Sequence, residues 1–229
     1  MVGSHRDGRV IANAWVPDPF GPAPAGVRLR AAVVRHGEAH RSVRGRCCGS
    51  LDPPLSDEGR RQLEETSGLL ERLAPVAIYT SPRLRALDSA RALAMTMPLT
   101  IDDRLAEIDF GVLEGLTYQE VADRYPIVWR TWMHRPADVV FPGGERFDAF
   151  TARIDNLLAD LKDRHPGQAI VIVAHGGVNR VILARALDLE LRRMFRLQQS
   201  PGAVSLIDFY DDQAVVQAMN ATMRRGTPC

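Results

Sequence analysis

Residues 29–37 read Leu29-Arg30-Ala31-Ala32-Val33-Val34-Arg35-His36-Gly37, an apolar run that stops abruptly at Arg-His-Gly. The run from Leu29 to Val34 predicts a buried strand, and open α/β sheets seat their ligands at the C-terminal ends of such strands. An Arg and a His at that end are placed for an anion and for chemistry on it. The tripeptide alone reads equally well as a loop arginine beside a surface histidine. The chain then repeats the device. Ile170 to Ala174 is a second apolar run, and it stops at His175-Gly176-Gly177. Two buried strands that each end in His-Gly, far apart in sequence, can meet at one edge of a sheet.

Working outward, helical and strand patterns alternate. Ser56, followed by Asp57 and Glu58, caps a helix with Leu63, Leu70 and Leu73 on one face. Val76 to Tyr79 is a short second strand ending at Thr80-Ser81-Pro82, and a helix from Arg83 to about Met95 follows. Arg83 and Arg85 fall in its first turn, the end of a helix that disfavours cations, which implies an anionic ligand nearby. Thr117 and Glu120 form a capping box for a helix that stops near Tyr125-Pro126. Ile127 to His134 is a second short helical piece bearing Trp129, Trp132 and Met133, residues that suit either core packing or a cap over the site. Arg146 to Arg164 is a long amphipathic helix, and Val178 to Leu187 reads as a helix that follows His175-Gly176-Gly177. Ala203 to Tyr210 and Ala214 to Met219 read as a hairpin around Asp211-Asp212.

The pattern predicts one α/β domain over residues 28–223. Its expected form is a three-layer α/β/α sandwich with a mostly parallel central sheet and a small helical cap insertion at about 112–141. Residues 1–27 read as a Pro- and Gly-rich flexible tail that Trp15 and Phe20 could pin, and residues 224–229 as a short C-terminal tail. A length of 229 residues suits one full core. A net charge of +1 gives no global argument for nucleic acid or an anionic membrane. No apolar run approaches the about 18 residues that span a bilayer, and Val10 to Val16 is too short and interrupted for a signal peptide. Three cysteines, Cys47, Cys48 and Cys229, make no disulfide framework. The expectation is a cytoplasmic protein with reduced thiols, without nucleic-acid or membrane partners, and with a homodimer left open.

Four features converge: Arg35-His36, Arg85, Glu107 and His175, each at the end of a strand or the start of a helix. Phosphoryl transfer uses such a set, because the transferring group spreads negative charge that positioned cations stabilise. The planar fork of Arg binds two phosphate oxygens at once. A His with one unprotonated ring nitrogen can be the nucleophile, and a protonated carboxyl can donate to the leaving oxygen.

On these residues the sequence resembles the histidine phosphatase superfamily, also called phosphoglycerate-mutase-like, from Leu29 to about Tyr210. The motifs that carry the resemblance are Arg35-His36-Gly37-Glu38, the segment with Arg46, Gly49, Asp52, Leu55 and Gly59, and Ser81-Pro82-Arg83-Leu84-Arg85-Ala86. Leu105 to Gly111 with Glu114-Gly115, Pro142-Gly143-Gly144-Glu145, and Ala174-His175-Gly176-Gly177 complete them. The resemblance implies that His36 is the phosphorylated nucleophile and Glu107 the general acid and base. It implies that Arg35, Arg85, a protonated His175 and the Gly176 N–H hold the phosphoryl oxygens, with no metal and no cofactor. Where relatives often carry an Asn, Ser42 stands here as a shorter phosphate contact. Cys48 occupies a loop position that is Thr in the mutases, which places Cys47 and Cys48 near the site, more as inert than as redox-active thiols.

The short segment between Glu107 and His175 resembles the phosphatase branch, notably α-ribazole phosphatases and broad-specificity phosphatases. The implied substrate is a small-molecule phosphate ester. A cofactor-dependent phosphoglycerate-type mutase and a non-catalytic phosphoryl-binding protein are the alternatives.

Overall fold

The computed structural model describes residues 18–94 and 96–222. Its centre is a six-stranded sheet. The strands are β1 (Leu29–Arg35), β2 (Ala77–Thr80), β3 (Leu99–Ile101), β4 (Gln168–Ala174), β5 (Val204–Phe209) and β6 (Ala214–Ala221), in the spatial order β3-β2-β4-β1-β5-β6. β3, β2, β4 and β1 run parallel, whereas β5 is antiparallel to both β1 and β6. The sheet is therefore mostly parallel, as expected. β1 and β4 are buried along almost their whole length, which is why both read as continuous apolar runs rather than alternating ones.

Helices cover both faces. α1 (Asp57–Leu70) and α2 (Leu84–Ala94) pack Leu63, Leu70, Ala86, Ala90 and Leu93 on Ala32, Val34, Ile78, Val171 and Val173. The opposite face takes α5 (Phe147–Arg164) and α6 (Gly176–Ala186), through Phe150, Ile154, Leu157, Leu161 and Val181, against Ala31, Val33, Ile170 and Ile172. The segment expected as a cap forms α3 (Tyr118–Arg124) and α4 (Pro126–His134), whose Val121 and Trp132 join the core cluster on the α5–α6 face. Ser56 accepts the Gly59 N–H at 3.0 Å, and Thr117 and Glu120 make both bonds of a capping box, so the local start signals operate as read.

Two details depart from the sequence reading. β3 was not expected; it is three residues long and largely exposed, too short to show a period. α6 begins at Gly176, two residues before the expected Val178. Phe20, read as an anchor that could pin the tail, is buried in the core cluster that holds Leu63 and Leu70 of α1, while Trp15 and residues 224–229 lie outside the described residues. Among the described residues, no helix is long and apolar enough to cross a membrane.

Candidate active site

The C-terminal ends of β1, β2 and β4 converge on a cavity of about 450 Å³. The His36 N–H donates to the Ala174 carbonyl at 3.0 Å, which extends the β1–β4 pairing by one residue. That pairing brings the two His-Gly ends together: the His36 and His175 ring centroids are 5.1 Å apart. Asn179, fully buried, ties the same two ends. With its amide nitrogen toward the His175 carbonyl (3.2 Å), its oxygen accepts the Arg35 N–H (3.1 Å).

His36 Nδ1 lies 2.7 Å from the Gly37 carbonyl. A carbonyl only accepts, so Nδ1 carries the proton and Nε2 keeps its lone pair. Burial, then Arg35 and Arg85, hold this imidazole well below the usual histidine range, so the ring is neutral at pH 7.

His175 has the complementary arrangement. The Arg83 N–H donates to Ser81 Oγ at 3.2 Å, and Ser81 Oγ lies 2.7 Å from His175 Nε2. The hydroxyl has no other acceptor among the described residues, so it donates to Nε2 and the ring proton sits on Nδ1. Nδ1 is buried without a partner. The sequence reading gave His175 a charged ring. Burial, then Arg85 and the neighbouring groups, instead push it well below the usual range, which favours a neutral ring with its proton on Nδ1.

Arg85 is 1% exposed. It donates from Nη1 to the Leu51 carbonyl (2.7 Å) and from Nη2 to the Cys48 and Gly49 carbonyls (2.9 and 3.3 Å). Glu114 grips the other side of this loop, accepting the Gly49, Ser50 and Leu51 N–H groups and also that of Phe110. The loop is thus clamped between a cation on its carbonyls and a carboxylate on its amides. A Cβ on Gly49 would lie 1.9 Å from the Ile108 carbonyl oxygen, so this close approach requires glycine. Arg35 donates to the Gln199 carbonyl at 2.5 Å, and its Nε is buried without a partner.

Glu107 sits over the start of α6. Its Oε2 accepts the Gly177 N–H (2.9 Å) and its Oε1 the Ile108 N–H (3.1 Å). A side chain at Gly177 would place Cβ 2.3 Å from Oε1. Gly176 heads the helix and lines the cavity.

Arg35, His36, Arg85, Glu107 and Gly176 all line the cavity, and His175 lies directly behind against His36. Ser42 does not line it. Its turn, Arg41–Val43, faces solvent, and His40 Nδ1 holds its hydroxyl at 3.0 Å; the neighbours Val43 and Arg44 reach the cavity instead. Arg83 also stays outside. Two residues escaped the sequence reading: Asn179 and Arg180, the latter a cavity-lining cation near the start of α6. The signal for Arg180 was the one already used for Arg83 and Arg85, a cation at the wrong end of a helix.

Another part of the lining is aromatic. Phe110, Trp132 and Phe141 pack edge to face or tilted at 5.1–5.4 Å between centroids, and Phe195 approaches Trp132 at 6.3 Å. Trp129 lies behind Trp132 at 6.0 Å, and Arg130 and Arg135 point to solvent. Burial and Glu114 push the Cys47 thiol up to about 12, and burial raises Cys48 as well, so neither is a reactive thiolate. Among the described residues, no group of three or more His, Cys, Asp or Glu is arranged to hold a metal ion.

The family model of the histidine phosphatase superfamily, branch 1, matches residues 32–222. The chain belongs to that superfamily. Among histidine phosphatases it is 30% identical over 200 residues to phosphoserine phosphatase 1 of Hydrogenobacter thermophilus, covering 86% of this chain and 95% of the relative. It is 31% identical over 218 residues to the bifunctional protein Rv2228c of Mycobacterium tuberculosis. That match covers 93% of this chain but 60% of the relative's length. The α-ribazole phosphatase of Shigella flexneri superimposes with a TM-score of 0.75 at 27% identity, covering 84% of this chain and 96% of that one.

Proposed function

We propose that this chain is a metal-independent phosphatase that hydrolyses a small-molecule phosphomonoester through a phosphohistidine on His36. The observation that supports this most is the tautomer of His36. Its Nε2 is held unprotonated by the Gly37 carbonyl, beside two arginines without ion-pair partners among the described residues. Attack by Nε2 forms the N–P bond as the ester P–O bond breaks. Arg35, Arg85 and the His175 Nδ1–H meet the charge on the equatorial oxygens. Glu107 gives its proton to the leaving oxygen and then takes one from the water that attacks phosphorus, returning His36 and releasing phosphate. Each Glu107 oxygen accepts one backbone N–H, which leaves a lone pair on each for the travelling proton. A cavity of about 450 Å³ with an aromatic wall suits a small organic leaving group.

The test is phosphate release from a panel of phosphomonoesters with EDTA present, and 3-phosphoglycerate plus bisphosphoglycerate alongside. Rapid quenching into base would trap the phosphoenzyme. The expected result is hydrolysis of several esters and a base-stable, acid-labile phosphoenzyme, both lost in His36→Ala. Isomerisation of phosphoglycerate with little phosphate release would make the chain a mutase. Binding of esters without a phosphoenzyme would make it a docking protein.

A further inference from the structure

We infer that Arg180 forms a second anion site beside the phosphate position, selecting phosphomonoesters whose leaving group carries its own carboxylate or phosphate. The inference rests on the phosphatase reading for which side of the site the leaving group occupies.

Arg180 is held in place without being neutralised. Its Nε donates to the Leu197 carbonyl (3.0 Å) and its Nη1 to the Gly176 carbonyl (3.2 Å). Its Cζ stands 5.6 Å from the Phe195 ring centroid, a cation–π contact that fixes the guanidinium plane. Nη2 makes no hydrogen bond, and no carboxylate pairs with the group, among the described residues. A half-buried guanidinium without a counter-charge is unfavourable by itself, and burial lowers its pKa. A pre-organised fork with a free edge toward a cavity is what binds a carboxylate or phosphate.

Two cations flank one point. A side chain on Gly176 would put Cβ 3.0 Å from Arg180 Nη1 and 3.8 Å from Arg35 Cζ. Arg180 is the strongest charged neighbour of Arg35, and it opposes that charge. An anion near both relieves the repulsion.

The position of Arg180 also separates its role from that of the phosphate ligands. The cations acting on His36 are Arg35 and Arg85. Arg180 is not among them: its Nη1 donates to the Gly176 carbonyl (3.2 Å) while Glu107 accepts the N–H of the next residue, Gly177 (2.9 Å), so it stands beside the acid. Glu107 acts on Arg180 as it does on Arg35. The acid must face the leaving oxygen, so Arg180 stands on the leaving-group side. The charge count agrees. Five arginines line the cavity. Arg46 pairs with Glu120 (3.6 Å), which leaves Arg35, Arg44, Arg85 and Arg180 against the one ionised carboxylate of Glu38 when Glu107 carries the proton for the leaving group. With both histidines neutral, a phosphate dianion still leaves one positive charge uncompensated.

The experiment compares non-hydrolysable ligands by calorimetry: 3-phosphonopropionate, ethylene-1,2-diphosphonate and propylphosphonate, on the wild type, Arg180→Gln and Arg180→Lys. The wild type should bind at least one of the two doubly charged ligands about 10-fold or more tightly than propylphosphonate, and which of them wins says whether carboxylate or phosphate is read. Arg180→Gln should lower that affinity ratio about 10-fold, and Arg180→Lys should lower it less. Equal wild-type affinity for all three overturns the inference, whether or not the variants fold, and so does an unchanged ratio in Arg180→Gln. Because binding needs no turnover, a wild type that discriminates among the phosphonates yet hydrolyses no ester would overturn the phosphatase reading and leave the anion site standing.

Discussion

Ser81 Oγ lies 2.7 Å from His175 Nε2, and this bond decides which nitrogen of His175 carries the ring proton. Ser81 comes from the end of β2 and His175 from the end of β4, adjacent strands whose register sets the contact. Ser81→Ala removes a buried hydrogen bond and leaves the ring free to change tautomer or rotate. The loss of a buried polar partner costs about 1–3 kcal/mol of stability. On the phosphatase reading a misplaced Nδ1–H removes a transition-state donor, so kcat should fall roughly 10²-fold, with an unchanged circular dichroism spectrum. Wild-type kcat in this variant would show that the Nδ1–H is set by something else.

Arg85→Ala should be worse than the loss of one phosphate ligand. Removing a single transition-state donor lowers kcat by roughly 10²–10³. Arg85 also donates to the Leu51, Cys48 and Gly49 carbonyls, so its removal frees a loop that forms one wall of the cavity. Thermal unfolding and steady-state kinetics should both register the change. A variant with reduced kcat and an unshifted Tm would confine Arg85 to the chemistry.

Glu114→Gln tests the opposite jaw of that clamp. The carboxylate accepts four backbone N–H groups, from Gly49, Ser50, Leu51 and Phe110. Bonds to a charged group contribute about 1.5–3 kcal/mol each at most, and an amide turns one acceptor into a donor. The expected outcome is a loss of about 1–3 kcal/mol in urea unfolding, read from the midpoint at constant slope. An unmoved midpoint would mean that the loop holds without it.

Glycine substitutions should separate function from stability. Gly177→Ala forces Cβ to 2.3 Å from Glu107 Oε1, so the acid must move and kcat should drop by roughly 10-fold or more, in line with the strength of general acid catalysis. Gly68→Ala, inside α1 with nothing within 4 Å, should instead stabilise the protein by roughly 0.5–1 kcal/mol. Equal kcat values for the two variants would remove Glu107 from the proton transfer.

The two buried histidines set a pH dependence of stability. Their folded pKa values lie well below 6.5, so between the folded and unfolded values the unfolded chain binds more protons. Their contribution is fully present above the unfolded pKa of about 6.5 and is lost as pH falls toward the folded values. Urea midpoints should therefore decline below about pH 6.5. Imidazole NMR signals of His36 and His175 should remain those of neutral rings at pH 6. Signals that titrate near 6.5 would show that burial and Arg85 do not dominate.

Much of this site was readable because its parts are local. A buried strand that ends in His-Gly, a Ser that opens a helix, and a cation in a helix's first turn each announce themselves within a few residues. What escaped depends on tertiary geometry. Asn179 sits on a helix face with no local oddity, and only the adjacency of β1 and β4 makes it a bridge. Arg180 carried a readable signal, but the glycines ahead of it drew attention to backbone rather than side chains. Ser42 was assigned by position along the chain, and a turn pinned by His40 carries it outward. β3 lacks the length for a period, and its three residues are strand only because β2 offers an edge.

The phosphate end and the aromatic end of the cavity are built from different material. Strand ends and the first turns of α2 and α6 hold Arg35, His36, Arg85 and Gly176, the residues proposed to bind phosphate, locked by the central sheet. Trp132, Phe141 and Phe195 come from α4 and from irregular segments outside the sheet. Exchanging these rings leaves the strand register untouched, so substrate range can drift by single substitutions while the transfer chemistry stays constant. In this architecture a change of metabolic role requires no change of catalyst.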